Sequence, residues 1–441
     1  MEQQLDLGKC YYKPSFFNMK IDLPIELDNL NDIPVGAMGL YYHEYIHFIQ
    51  DISTIYGLMN ISTINYYIQS CAHYIEKNKN IKEFDVPIEL EKIIDRNIEN
   101  DKGLLNFYLR PIYIGSSIKV KSKYISDFNY YFEPFEFDKD KFIDKVMISF
   151  TDVETKLKKE FCFGGNHITE GMAYLCEQYN YSDILPKADE YPYLIVQKII
   201  EKDYPEIIND KILIIALCDI SLMTYHPAYN FIKLVKFIKQ IDIEKNNYSI
   251  EEIYSLCHSH IKGNHVDFSI LVENIKIEIK RNFNAIYFND ITDWIDIIFD
   301  RIKIFRTEIP SFIIDLVYHG KPTENSFFIK FHTSMGSPLV LNADDFGTIS
   351  LPFNFNPTTN NYNPGIFLAI SQVLKIFYQS KPTSCDLKEY CLKSKSQDPN
   401  LNVDAKCDTS PWEKAREKDL CPVGQIWHHW ALKDFSPKFK N

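Results

Sequence analysis

Two histidines four residues apart, His43 and His47, constrain this chain more than any other feature of its sequence. An α-helix turns by about 100° per residue, so two such side chains lie one turn apart on the same face. Their imidazoles can hold one Zn²⁺ ion at about 2.0–2.1 Å each. Glu44 lies on the adjoining arc of the helix, where its carboxylate can reach a water molecule beside the metal. The pattern therefore predicts a helix with two metal ligands and a general base.

The residues around this pattern also indicate a helix, over positions 34–56. Asp32 can cap its N-terminus, and Pro34 falls in the first turn, where a missing N–H has no consequence. Apolar residues follow at mostly helical spacing, and Gly57 can end the helix in a left-handed conformation.

Composition narrows the class of protein. The chain has 441 residues, of which 45% are hydrophobic and 24% charged, as in ordinary globular proteins with room for two or three domains. The net charge of −12, without a dense Lys/Arg block, disfavours a nucleic-acid partner. No secretory signal is recognisable at the start, and the longest apolar run, 212–223, is short and interrupted by Asp219, so we expect no membrane span. Ten dispersed cysteines fit a reduced cytoplasmic protein.

Periodicity predicts a mainly helical α+β protein. Residues 78–145 form a polar insertion that turns to β character from Leu104, most clearly over Phe107–Ile114. Val146–Phe150 and Lys156–Phe163 are predicted to pair as a hairpin. A new helix follows at 168–180, with Asn166 or Thr169 as its N-cap.

The second half of the chain is predicted to be helical over 190–307 and mixed over 311–379. A β-rich piece is expected at 325–352, including Phe327–Phe331, before a last helix over Gly365–Gln379. The tail, 380–441, has a different composition and is treated as a separate module.

A third metal ligand is expected from the helix at 168–180, where Glu170 begins the run Glu170-Gly171-Met172-Ala173. With His43-Glu44-x-x-His47, this run resembles the gluzincin group of zinc metallopeptidases. The resemblance implies a zincin-like core and one catalytic zinc held by His43, His47 and Glu170. It also implies a water molecule in the open fourth position and Glu44 as general base. The small Gly171 and Ala173 would let this helix pack closely on the motif helix.

Two further acidic residues are expected to support the ligands. The spacing of Asp51 from His47 resembles the thermolysin type, in which this aspartate accepts an N–H from a ligand imidazole. Glu177, two turns after Glu170, is a second candidate for such a role or a solvated side chain. His167 remains a rival third ligand.

A donor for the developing oxyanion is sought in Tyr225-His226-Pro227, at a distance downstream comparable with that of the corresponding histidine in gluzincins. His226, or otherwise Tyr225, would serve; alternatively, His226 only meets a helix dipole.

The remaining clusters are less specific. Cys257, His258, His260 and His265 are interpreted as incidental residues at a polar helix end. The tail contains four cysteines, Cys385, Cys391, Cys407 and Cys421. We interpret them as free thiols packed in the protein, and the alternative is a structural zinc ion that they bind together.

The sequence thus predicts a cytoplasmic zinc metallopeptidase that acts on a protein or peptide substrate. Its zincin-like catalytic region would span 1–310, followed by a mixed α/β region at 311–379 and the cysteine-containing module at 380–441. Two alternatives stay open. One is a non-catalytic, zinc-stabilised interaction protein, and the other is a helical interaction protein in which the motif is coincidental.

Overall fold

A computed structural model describes residues 10–23, 30, 33–78, 82–93, 109–118, 121–138, 140–246, 248–261, 267–357, 363–395 and 401–439. Helices dominate, and the sheets are small, which confirms the mainly helical α+β class predicted from the sequence. Within the described residues, no helix has both the length and the apolar character that crossing a membrane requires.

The helices follow one another through most of the chain. They are α1 (Val35–Ser53), α2 (Ile55–Lys77), α3 (Leu90–Ile93), α4 (Gly165–Tyr181), α5 (Glu190–Tyr193), α6 (Ile195–Asp203), α7 (Lys211–Leu222), α8 (Pro227–Gln240), α9 (Ile243–Asn246), α10 (Ile250–Ile261), α11 (Phe268–Asn282), α12 (Asn289–Glu308), α13 (Phe312–Tyr318), α14 (Ser326–Met335), α15 (Gly365–Tyr378), α16 (Lys388–Ser394), α17 (Lys406–Thr409) and α18 (Pro422–His429). Short 3₁₀ turns occur at Pro205–Ile207, Ile286–Phe288 and Pro411–Arg416.

The strands form three small sheets. They are β1 (Tyr11–Lys13), β2 (Asn18–Lys20), β3 (Glu83–Val86), β4 (Ile125–Asp138), β5 (Lys141–Asp152), β6 (Lys158–Phe163), β7 (Leu339–Leu341), β8 (Gly347–Thr348) and β9 (Ser436–Phe439). One sheet has the order β1-β2-β7-β8, another pairs β3 with β9 in parallel, and the third is the antiparallel meander β4-β5-β6. The pairing of Val146 with Phe163 confirms the predicted hairpin.

Helix α1, which carries the two histidines, runs through the core. Tyr41, Tyr42 and Tyr45 have no exposed surface, and most other residues of α1 are buried as well. A helix that is buried on nearly all sides is held in place by the elements that pack around it. The direction of its histidine side chains is therefore set by the surrounding protein.

The C-terminal end of α1 is tied to two distant helices by a buried ion pair. The Arg306 guanidinium contacts both carboxylate oxygens of Asp219 at 2.7 and 2.9 Å, and its Nε donates to the Ser53 carbonyl oxygen at 2.9 Å. Both charged side chains are almost inaccessible to solvent. Such a pair is strongly destabilising to break, because the remaining charge would stay buried.

The tail packs on the rest of the protein. The Trp427 ring lies 6.2 Å from that of Phe84 and 5.6 Å from that of Phe377, measured between ring centroids. The Trp430 indole donates to the Asn282 carbonyl oxygen at 3.0 Å. Together with the pairing of β9 and β3, these contacts fasten the last described residues to earlier helices.

Two predicted β segments are helical instead. Phe327–Phe331 lies within α14, because the Asn325 side chain accepts hydrogen bonds from the N–H groups of Phe327 and Phe328 and caps the helix. Residues 109–114 are also helical and end at Gly115, whose φ is +85°. The preceding positions, 101–108, lie outside the described residues.

Predicted helix ends also differ. Helix α1 stops at Ser53, and Thr54 caps a second helix whose first turn contains Gly57, so the glycine does not terminate the motif helix. Pro34 occupies the N-cap position, while Asp32 lies outside the described residues. Helix α4 begins directly after β6 with Gly164 as its N-cap, earlier than Asn166 or Thr169.

Candidate metal centre

Three side chains meet with their ligand atoms at distances that suit a metal ion. The Nε2 atoms of His43 and His47 are 3.3 Å apart, and each lies 3.6 Å from Oε2 of Glu170. A tetrahedral zinc with bonds of about 2.0–2.1 Å separates its ligand atoms by roughly 3.3–3.4 Å. Among the described residues, these three side chains form the one group of three or more His, Cys, Asp or Glu residues whose ligand atoms lie close enough to share a metal ion. These three side chains could therefore hold one metal ion.

Two helices bring these side chains together. His43 and His47 lie one turn apart on α1, and Glu170 lies in the second turn of α4, which packs along α1. Gly171, the small residue after Glu170, does not make the close contact with α1 that was predicted. A Cβ atom on Gly171 would lie 2.7 Å from Cγ2 of Val196, so this glycine admits α6 rather than α1.

The second nitrogen of each imidazole has its own acceptor. His43 Nδ1 lies 2.9 Å from Glu177 Oε2, and His47 Nδ1 lies 2.9 Å from Gln50 Oε1. Gln50 in turn donates from Nε2 to the Thr169 carbonyl oxygen at 3.1 Å, next to Glu170. An N–H donated from Nδ1 leaves the Nε2 lone pair directed toward the metal position.

Asp51 does not make the imidazole hydrogen bond predicted for it. Its Oδ2 accepts from the Tyr12 hydroxyl at 2.9 Å and from the Ser15 backbone N–H at 2.6 Å. Burial raises the pKa of Asp51 to about 7, although these two donors oppose the rise. Gln50, one residue earlier, occupies the face of α1 that reaches His47. Asp51 therefore anchors the N-terminal segment on α1.

The imidazoles and carboxylates of the ligand group shift one another's pKa values. Burial works against a charged imidazole at His43, yet the carboxylates of Glu170 and Glu177 raise its pKa well above the ordinary value. Burial also works against the Glu170 carboxylate, but His47 and His43 keep its pKa far below the usual range. Protons and a divalent cation thus compete for the same lone pairs.

Glu44 is buried beside this group. Burial raises the pKa of its carboxyl, while the imidazoles of His43 and His47 act in the opposite direction. A carboxylate with a raised pKa holds a proton more readily than an exposed one does. Glu44 is therefore suited to accept and return a proton.

His167, the rival third ligand, faces away from the group. It is fully buried, and its Nδ1 accepts from the Gly164 N–H at 3.3 Å at the start of α4. Its ring packs against Phe161 at 4.7 Å between centroids, and burial lowers its pKa to about 3. Its part is structural, as a cap at the junction between β6 and α4.

His226 and Tyr225 are also engaged elsewhere. His226 Nε2 donates to the Asp144 carbonyl oxygen at 2.6 Å, and its Nδ1 accepts from the Tyr229 N–H at 3.4 Å. It caps the N-terminus of α8. Tyr225 packs against the hydrophobic core. With both ring nitrogens of His226 occupied, its imidazole has no free N–H for the predicted oxyanion role.

A tyrosine that the sequence did not single out lies close to the metal group instead. The Tyr193 ring is 6.2 Å from that of His43 between centroids, and its hydroxyl accepts from Lys121 Nζ at 3.2 Å. Burial raises the pKa of this phenol, and the charges of Glu170 and Glu44 add to the rise. Tyr193 thus stays a neutral hydrogen-bond donor. No local pattern around Tyr191-Pro192-Tyr193 signals this position.

The other clusters differ in character. His260 stacks on Phe237 at 4.0 Å, and Cys257 is buried in α10, while His265 lies outside the described residues. One narrow cavity is lined by the four tail cysteines, Cys385, Cys391, Cys407 and Cys421. All ten cysteines of the chain lie in described residues, and no disulfide joins any of them.

Comparison of the chain with protein-family models, with curated proteins and with solved structures found no match. A function therefore has to be inferred from the side chains of the centre itself.

Proposed function

We propose that this chain is a zinc-dependent metallopeptidase of gluzincin type, which hydrolyses peptide bonds in a protein or peptide substrate. The observation that carries the proposal is the triangle of His43 Nε2, His47 Nε2 and Glu170 Oε2, with sides of 3.3, 3.6 and 3.6 Å. Two imidazoles and one carboxylate are the ligand set of many catalytic zinc sites, which keep a fourth position for the reactants.

Zinc is the metal that this donor set favours. Imidazole nitrogen suits zinc and other first-row metals, whereas magnesium and calcium prefer sites made of oxygen atoms. The hydrogen bonds from Nδ1 of both histidines to Glu177 and Gln50 hold the rings in the ligating orientation. Partners of this kind strengthen metal binding. When bound, zinc would supply a Lewis acid that polarises a substrate carbonyl and makes water attack feasible near neutral pH.

Glu44 would handle the protons of the reaction. Its buried carboxylate accepts a proton from the attacking water and later delivers it to the amine that leaves. Glu44 is adjacent to ligand His43 but is not one of the three ligands, so its side chain remains available for this transfer.

Tyr193 would stabilise the negative charge that develops on the carbonyl oxygen. Its phenol is neutral and lies beside His43, and Lys121 contacts its oxygen from the other side. A donor placed in advance at such a position stabilises the transition state more than the ground state. In this proposal Tyr193 replaces His226 and Tyr225.

The net charge of −12 agrees with a protein or peptide substrate better than with a nucleic acid. We also propose a cytoplasmic location, because a reducing compartment leaves the ten cysteines without disulfides.

The test combines metal analysis with one substitution. Purified wild type should contain about one zinc per chain and cleave members of a quenched-fluorescence peptide library. Glu44→Gln should keep the zinc but lose activity by about 10²–10⁴-fold, because glutamine cannot accept a proton. The control is Glu154→Gln, in the exposed turn between β5 and β6, which should match wild type.

Three results would contradict the proposal. Undiminished cleavage by Glu44→Gln would remove the assigned base. Zinc in wild type without cleavage of any peptide would favour the zinc-stabilised interaction protein, and wild type without bound metal would make the motif coincidental.

A further inference from the structure

Four cysteines from separate segments of the tail line a single cavity. Cys385 precedes α16, Cys391 lies within it, Cys407 lies in α17, and Cys421 caps the N-terminus of α18. Fifteen residues separate the second from the third and thirteen the third from the fourth. Local spacing therefore does not bring them together, and the fold of the tail does.

Backbone hydrogen bonds join the segment at Cys385 to α17 and hold Cys391 within α16. The Cys385 N–H donates to the Cys407 carbonyl oxygen at 2.7 Å, and the Cys391 N–H donates to the Leu387 carbonyl oxygen at 2.8 Å. Three of the cysteines have at most 9% of their surface exposed, and Cys421 is half-buried. The cavity that they share is thus an interior feature of the tail.

The surroundings are mostly apolar and include two lysines, Lys388 and Lys414. Apolar lining residues are Leu387, Leu401, Val403, Pro411, Pro422 and Val423. Lys414 also lines the cavity, and its side chain is only 2% exposed, with Nζ held by Asp404 and Glu417. The four thiols thus share a narrow, mostly apolar space.

The space between the sulfur atoms is too wide for a single zinc ion. A tetrahedral Zn–S₄ site, with bonds of about 2.3 Å, places its sulfur atoms roughly 3.8 Å apart. No three of the four tail sulfur atoms, all in described residues, come within 4.8 Å of one another.

An iron–sulfur cluster suits four thiols that do not form a close group. A [4Fe–4S] core is held by four cysteine thiolates at its corners, so the thiolates stand farther apart than around one metal ion. We propose that Cys385, Cys391, Cys407 and Cys421 bind a [4Fe–4S] cluster. The cluster would join four segments of the tail, a region whose helices are short. This site is independent of the metal centre on α1 and α4.

The experiment uses the full chain, purified and reconstituted anaerobically with ferric iron, sulfide and a thiol that reduces half of the iron to the ferrous state. Wild type should bind about four iron and four acid-labile sulfide per chain and develop the visible charge-transfer absorption of a cluster. Cys385→Ser and Cys421→Ser should lose most of the iron and sulfide. Cys162→Ser, at a half-buried cysteine in β6, is the matched control and should keep both.

A second measurement remains informative if the tail variants fail to fold. In wild type, reconstitution should protect half-buried Cys421 from iodoacetamide, whereas half-buried Cys162 should react as before. The proposal is overturned if wild type binds less than one iron per chain, or if it takes up a second zinc that Cys421→Ser lacks. It is also overturned if iodoacetamide labels Cys421 equally before and after reconstitution.

Discussion

Glu170 and His167 lie three residues apart on α4 but face different surroundings. Glu170 reaches two imidazoles, whereas His167 caps its own helix and packs against Phe161. Under the proposed function, one turn of α4 thus carries both a metal ligand, Glu170, and a structural residue, His167.

Glu170→Ala should weaken zinc binding as much as His47→Ala does, because each removes one of three protein ligands. His167→Ala should keep the zinc and instead lower the free energy of unfolding, because it leaves a space in a buried site. Zinc content after dialysis and urea unfolding measure the two effects. Zinc retained by Glu170→Ala but lost from His167→Ala would invert the assignment.

Tyr193 offers a second test at the scale of single residues. Tyr193→Phe removes only the hydroxyl, so zinc content should not change. The rate of peptide cleavage should fall by about 10²–10³-fold if that hydroxyl stabilises the oxyanion. Tyr131→Phe, at an exposed tyrosine of β4, is the control. A full rate in Tyr193→Phe would exclude the phenol from the reaction.

The orientation of α1 depends on the sharp junction between α1 and α2. Thr54 stands between the helices, donates to the Gln50 carbonyl oxygen at 2.7 Å and accepts from the Gly57 N–H at 3.0 Å. A Cβ atom on Gly57 would lie 2.2 Å from the Asp51 carbonyl oxygen, so the two helix ends approach closely only because residue 57 is glycine.

Gly57→Ala should therefore destabilise the protein, although alanine favours helix formation by about 1 kcal/mol over glycine. The matched control is Gly36→Ala in the first turn of α1, where a Cβ atom meets nothing within 4 Å. That variant should be neutral or up to about 1 kcal/mol more stable. Chemical denaturation measures both, and equal effects at the two sites would contradict the close approach.

At the scale of the whole molecule, buried neutral histidines couple folding to pH. His332 on α14 is buried, with the Tyr41 hydroxyl 2.8 Å from its Nε2. Burial lowers its pKa to about 4 from an ordinary value of 6.5. The unfolded chain thus binds a proton at a pH where the folded protein does not. The contribution of neutral His332 to the free energy of unfolding is therefore fully present above about pH 6.5 and is lost as the pH falls toward 4.

His332→Gln should reduce the loss of stability between pH 6.5 and 4 by about 3 kcal/mol, because glutamine can accept from Tyr41 but does not titrate. The exposed His319 is the control, and His319→Gln should leave the pH dependence unchanged. Thermal or urea unfolding over this pH range gives the comparison. The same pH dependence in His332→Gln as in wild type would contradict the lowered pKa.

Local periodicity alone determined much of this protein. The spacing of His43 and His47 sets both side chains on one face of a helix because a helix repeats every 3.6 residues. The alternation on either side of Thr151 to Thr155 specified the β5–β6 hairpin, and the run after Glu170 specified a helix. These features arise within a few residues of each other, where backbone geometry decides which side chains are neighbours.

Only the tertiary structure decided which distant residues meet. It gave His47 the amide of Gln50 instead of Asp51, placed Tyr193 beside His43, and turned Gly171 toward Val196. It also gathered four tail cysteines around one cavity. Helix and strand periods specify the face on which a side chain lies, but the partner on that face depends on how whole elements pack. Packing arises from contacts between residues far apart in sequence, which no local pattern records.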